Sequence, residues 1–134
     1  MLLLPHQIEL YQTEHYLTEH SKGEMMISSD IIRGHLDAIL LVLIGEKDRY
    51  GYEISREISL RTQERFQIKE ATLYAVFQRL EKRGFIRSYE GSVTLGGKRR
   101  YYAITAQGRA YLEEGRKEWQ SVKEIIDIFL EGKQ

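Results

Sequence analysis

The stretch "KEATLYAVFQRLEKRG", residues 69 to 84, sets Lys69, Thr72, Ala75, Arg79 and Lys82 along one side at helical spacing, with Tyr74 and Gln78 beside them. Hydroxyls, an amide and cations in that arrangement are donors suited to phosphate oxygens and base edges. Ala71 falls on the same outward side. Further along, Gly96 and Gly97 precede three consecutive cations, Lys98, Arg99 and Arg100. The glycines relax the backbone so that a cationic loop can approach a polyanion closely.

This is binding chemistry, and the sequence offers little else. The absence of cysteine removes thiolate zinc sites, disulfides and cysteine nucleophiles, and makes a reducing cytoplasm the natural home. His6, His15, His20 and His35 show no paired ligand spacing, and no glycine-rich phosphate loop or nucleophile motif is present. The expectation is a protein without catalysis, metal or cofactor. No apolar run is long enough to span a bilayer, so no membrane partner is expected.

Charge distribution agrees with a polyanion partner. The net formal charge is zero, yet residues 56–109 carry twelve Lys and Arg against five acids. A basic centre between acidic flanks fits a nucleic-acid face beside a separate interaction region.

These side chains need elements to position them. "SSDIIRGHLDAILLVLIG" begins on capping residues, continues through an unbroken apolar run and ends at Gly45, which predicts one buried helix. "YEISREISLRTQERF" places Ile54, Ile58, Thr62 and Phe66 near helical spacing and predicts a second, amphipathic helix. In the third, residues 70–83, Leu73, Val76, Phe77 and Leu80 face inward, and Gly84 ends it. "FIRSYEG" and "KRRYYAIT" read as a β-hairpin with the cations at its tip. The fold class is mainly α with a small β-hairpin: a winged helix-turn-helix in which residues 70–83 are the recognition helix.

Thr105 is a plausible cap for a long helix running to the end of the chain. Leu112, Gly115, Trp119, Val122, Ile126 and Phe129 recur on it in steps of three and four, an a/d seam for self-association, the alternative being a stripe that lies along its own domain. A homodimer would present two recognition helices to one operator.

In this order and spacing, "GYEI", "EATLYAVFQRLEKRGFI", "GGKRRYYAIT", "GRAYL" and "EWQSV" resemble the PadR family of bacterial transcriptional regulators, over roughly residues 28–130. The resemblance implies a dimeric winged helix-turn-helix repressor with a C-terminal dimerisation helix. It puts Thr72 and Tyr74 on the recognition helix, Lys98, Arg99 and Arg100 on the wing, and Tyr52 near the DNA backbone; Lys69, Ala71, Gln78 and Arg79 are added from helix spacing. Tyr74 packing partly into the core, Tyr52 packing under the second helix and Arg79 pairing with a distant carboxylate remain open. The short C-terminal helix is similar to that of members sensing drug-like or phenolic compounds, in which a matching tryptophan stacks planar molecules between subunits. By that resemblance Trp119 is the effector-stacking group; Val122, Ile126 and the first helix are candidates for the lining that the sequence does not select, and Trp119 as a packed interface aromatic without a ligand remains open.

The expected organisation is an N-terminal extension over 1–27, a DNA-binding domain over 28–105 and a dimerisation helix over 106–134. The extension fits the family least; translation from Met25 or Met26 is one reading, a frayed, disordered tail another, and a loosely helical Leu4, Ile8, Tyr11 and His15 covering the dimer surface a third. The alternative function is a winged-helix module that binds protein without specific DNA binding.

Overall fold

The computed structural model describes residues 29–94 and 97–132. The expected extension, with Leu4, Ile8, Tyr11, His15 and the Met25 or Met26 start, lies outside the described residues.

The expected first helix is two. Helix α1 spans Ser29–Arg33 and α2 spans Leu36–Glu46. Between them Gly34, a poor helix former, lets the chain turn, and the His35 amide bonds back to the Ile32 carbonyl at 2.7 Å. Helix α2 buries Leu36, Leu40, Leu41, Leu43 and Ile44, as an apolar run around most of a helix requires. Gly45 does not end it; it lies inside α2, against the Ile104 side chain, where a methyl group would still find room at 3.6 Å.

Strand β1, Arg49–Tyr50, is absent from the expected elements and leads into α3, Gly51–Arg61. The Tyr50 amide donates to the Glu53 carboxylate at 3.3 Å, closing the start of α3. Helix α3 stops short of the expected Phe66. Thr62 Oγ1 donates back to the Ile58 carbonyl at 2.8 Å and accepts the Phe66 amide at 3.2 Å. Gln63 and Glu64 then take left-handed φ values of 53° and 63°, which α-helix cannot include.

Helix α4, Glu70–Lys82, buries Leu73, Val76, Phe77 and Leu80 as the spacing predicts. Its end is a Schellman turn: Gly84 takes φ 79°, its amide bonds the Glu81 carbonyl at 3.0 Å, and the Phe85 amide bonds the Leu80 carbonyl at 2.9 Å. Strands β2, Ile86–Thr94, and β3, Gly97–Ile104, form the hairpin, and β1 adds to its free edge in the antiparallel order β1-β3-β2. Arg49 and Ser88 flank Tyr102 on the inner face, while Tyr50 and Tyr89 flank Tyr101 on the outer one. Tyr102 is buried and stacks on Phe77 with centroids 3.8 Å apart.

Helix α5, Ala106–Leu130, starts as expected at Thr105, whose side chain accepts the Gly108 amide at 3.0 Å. It runs antiparallel to α2, with Arg109 near Gly45 and Trp119 edge-on to His35 at 5.0 Å between ring centroids.

Arg49 is the buried charge of the core. Its Nε donates to the Leu43 carbonyl at 2.8 Å, and its Nη2 reaches Glu46 at 3.0 Å. Glu46 also accepts from Arg61 at 2.6 and 3.0 Å. Hydrogen bonds from Arg61, supported by Arg49, hold the Glu46 carboxyl below its ordinary value of 4.5. A carboxyl depressed on folding adds stability that is complete above the unfolded value and is lost as pH falls through the folded one. Replacing Glu46 by Gln should therefore lower the unfolding free energy at neutral pH and flatten its decline below about pH 4.5. Urea titrations across that range check this, and identical acid sensitivity of the two proteins would assign the decline to other carboxylates.

Candidate nucleic-acid interface

Helix α3, the turn over 62–69 and α4 form the helix-turn-helix. The period of α4 that buries Leu73, Val76, Phe77 and Leu80 leaves Ala71, Tyr74, Ala75, Gln78 and Lys82 exposed on its other side. Lys69, exposed at the N-cap, is in extended backbone with ψ 145°. Thr72 is half-buried. Of the expected contact residues on this helix, Lys69, Ala71 and Gln78 stand free on the surface.

Tyr74 is divided between core and solvent. It is 44% exposed. Its ring packs edge-on to Phe77 at 5.5 Å, and its hydroxyl lies where a Cβ on Gly51 would approach to 3.0 Å. Tyr52 does not pack under α3: it is 67% exposed and offset from Tyr50, centroids 6.4 Å apart.

Arg79 is exposed and has the distant carboxylate partner that its sequence left open. Its guanidinium pairs with the Asp37 carboxylate of α2, Nε to Oδ1 at 3.2 Å, and Arg83 reaches the same carboxylate at 3.8 Å. That hydrogen bond raises the Arg79 pKa. The cation ties α4 to α2 and is occupied within the protomer.

The three wing cations divide by strand alternation. Arg99 lies on the outer face and caps the Tyr50 ring at 4.4 Å, a cation–π contact. Lys98 binds Glu90 at 3.3 Å, and Arg100 is the cross-strand partner of that same Glu90. All three are exposed. Arg99, Tyr50, Gly51 and Tyr74 form a continuous path from the wing across the start of α3 to α4.

Sequence reasoning missed the outer tyrosine row. Tyr101 stacks on Tyr89 at 5.7 Å and meets Tyr50 edge-on at 5.5 Å. Tyr89 donates to the Asp48 carboxylate, which raises its phenol pKa, and Arg87 covers its ring at 5.5 Å. Gly91 admits the Tyr101 ring, since a Cβ there would meet it at 2.2 Å. The signal that could have found this row is the period-two alternation of "RSYEG" against "KRRYY".

The proposed dimer seam also divides. Leu112 is closed to a partner: it is buried in the protomer's own core, because the first turns of α5 lie on α2. Gly115 is half-buried with nothing within 4 Å of a built Cβ. Trp119, Val122, Ile126 and Phe129 are exposed, together with Ile125, Ile128 and Leu130, which the heptad omitted. Among the described residues no group of acids and histidines could hold a metal ion, and no helix is long and apolar enough to cross a membrane.

Comparison with known proteins accords with this geometry. Residues 39–114 match the model of the Transcriptional regulator PadR-like family. The chain is similar to the uncharacterized protein X of Lysinibacillus sphaericus, 70% identical over 107 residues, covering 80% of this chain and 98% of that one. A transcriptional regulator from Clostridium thermocellum superposes with TM-score 0.72 at 49% identity, covering 78% and 98% of the two chains. A PadR family transcription regulator from Clostridium difficile does so with TM-score 0.63 at 34% identity, covering 72% and 98%.

Removing one cation that neutralises a phosphate should reduce the slope of log affinity against log salt by about 0.9. Changing Lys98, Arg99 and Arg100 together to Ala should reduce it by up to about 3. Arg79→Ala should instead leave the slope unchanged and lower the melting temperature. Salt titrations on duplex DNA and thermal scans check both, and a reversed pattern would return Arg79 to the DNA-facing surface.

Proposed function

This chain belongs to the PadR-like family of transcriptional regulators and is a DNA-binding protein, and on that premise we propose that it is a homodimeric repressor released by a planar aromatic or drug-like effector. The observation that carries the reading is the path from wing to recognition helix, in which exposed cations and the outer side of α4 meet around Tyr50 and Gly51. Tyr52, Lys69, Ala71, Thr72, Tyr74 and Gln78 are the proposed groups at bases and backbone, with Lys98, Arg99 and Arg100 on phosphates. Residues 28–105 act as the DNA-binding unit and 106–134 as the dimerisation helix. Two copies joined through the outer part of α5 would read half-sites about one helical turn apart.

Trp119, with Val122 and Ile126, is the proposed effector surface. The indole is 47% exposed and meets His35 in a T-shaped contact, which leaves aromatic surface for stacking across a dimer. The likeness to the short-helix, multidrug-sensing members of the family supports this assignment. Release follows if the effector binds more tightly to a dimer whose recognition helices are misplaced for the operator. Equal affinity for both geometries would shift nothing.

Fluorescence anisotropy of labelled DNA from upstream of the chain's own gene, with random DNA as competitor, tests the first half. Competitor-resistant binding is the expected result; weak binding equal for both DNAs favours a protein-binding module or a different operator. Trp119 is the sole tryptophan, so quenching screens for the effector directly. Saturating effector should weaken operator binding at least tenfold, about 1.4 kcal/mol, and Trp119→Ala should abolish that response. Unchanged operator affinity in the presence of a quenching ligand would overturn the release mechanism.

A further inference from the structure

Asp37, in the first turn of α2, faces two cations of the recognition helix at once. Arg79 Nε donates to its two carboxylate oxygens at 3.2 and 3.4 Å, and Arg83 Nη1 lies 3.8 Å from the second of them. Arg79 and Arg83 stand one helical turn apart at the end of α4. The Arg83 guanidinium is also held by α5: it lies 4.8 Å from the ring centroids of both Phe85 and Tyr111, and reaches the Tyr111 hydroxyl at 3.5 Å.

The same start of α2 carries the contact with the indole. His35 is the N-cap of α2, and its ring meets Trp119 edge-on at 5.0 Å between centroids. Tyr111 and Trp119 lie on α5 about 12 Å apart at the helical rise. A planar group seated against the indole therefore loads a boundary between α2 and α5 at whose other end Asp37 faces Arg83.

We propose that Asp37 is the positioning residue that couples the Trp119 face to the recognition helix, its carboxylate passing from Arg79 to Arg83 when the start of α2 moves against α5. The proposal rests on the effector reading and specifies how that surface reaches α4. One carboxylate within reach of two guanidiniums a turn apart has two discrete arrangements, which a coupling element requires. Both cations are close to half exposed, 47% and 45%, and pairs of that kind add little stability, so the exchange costs little. Its consequence lies on the DNA-facing element. With Asp37 on Arg79, α2 grips α4 beside Gln78; with Asp37 on Arg83, it grips only the end of the helix.

Equilibrium coupling is reciprocal, so operator DNA bound at α4 acts back on the Trp119 face. No ligand is needed to see this. The full chain would be titrated with labelled duplex DNA from upstream of its own gene, with binding read by anisotropy and the sole tryptophan by its emission. The expected result is a saturating change in Trp119 emission whose midpoint matches the anisotropy. Asp37→Asn should lose that change at DNA concentrations that saturate its anisotropy. Arg83→Gln, which keeps the tie between Asp37 and Arg79, should lose it as well, and it serves where Asp37→Asn does not fold.

An emission change retained by both variants would assign the coupling to rotation of the whole protomer and overturn the role of Asp37. Loss in Asp37→Asn alone would mean a static tie and overturn the exchange. A native chain whose Trp119 emission is untouched by bound DNA would overturn the coupling itself. Failure of the effector reading would show elsewhere, in the quenching screen, because this titration contains no effector.

Discussion

The stack of Phe77 on Tyr102 fixes the relation between the recognition helix and the wing in this fold. One ring comes from the inner side of α4 and the other from the inner face of β3, and both are almost fully buried. Helical period then decides which α4 side chains point outward, and strand alternation decides which wing residues do. A one-residue slip of β3 would exchange Tyr102 for Tyr101 and carry Arg99 to the opposite face. The buried pair thus holds the outward sides of two elements in one relation. Arg49 and Ser88, flanking Tyr102 on the neighbouring strands, keep that register on both edges.

The cations that make the centre of the chain basic fall into two groups. Arg49, Arg61, Arg79 and Arg83 are engaged with Glu46, Glu57 and Asp37, and hold α2 to β1, α3 and α4. Exposed pairs of this kind add little stability individually; Arg49 differs because it is buried, and removing Glu46 would leave its charge short of a partner. The other group, Lys69, Lys82 and the wing cations, stays at the surface. A count of charge along the sequence cannot separate the two groups: Glu46 and Glu57 are neighbours of Arg49 and Arg61, but the Asp37 carboxylate that holds Arg79 and Arg83 arrives from α2, far away in the chain.

The same distinction explains how much was legible beforehand. Helix α4, its Gly84 stop, the hairpin and the Thr105 cap are governed by neighbours within a turn or two, and periodicity with capping chemistry places them. The pairing of Arg79 with Asp37, the addition of β1 to the hairpin and the burial of Leu112 are settled by contacts between distant segments. Leu112 is instructive: it continues the heptad of the outer helix, yet the register that suits a partner at Phe129 suits the protomer's own core two turns into α5. The early end of α3 was local but concealed, since Thr62 at helical spacing looks like one more helical residue until its hydroxyl is seen tying Ile58 to Phe66.

Helix α5 joins the two functions because of how it is rooted. Thr105 Oγ1 donates to the Gly84 carbonyl at 2.7 Å, at the end of α4, and the same oxygen caps α5 through the Gly108 amide. A Cβ on Gly108 would lie 2.1 Å from the Phe85 carbonyl oxygen, so only glycine lets the first turn of α5 sit on the entry to β2. The recognition helix, the wing and α5 therefore leave one junction, without a flexible linker between them. Interfaces packed this closely are bistable rather than continuously deformable. In the proposed homodimer, a change in how two α5 helices meet would accordingly be passed to α4 and the wing as a rotation of the whole protomer, and the spacing of the recognition helices would change with it.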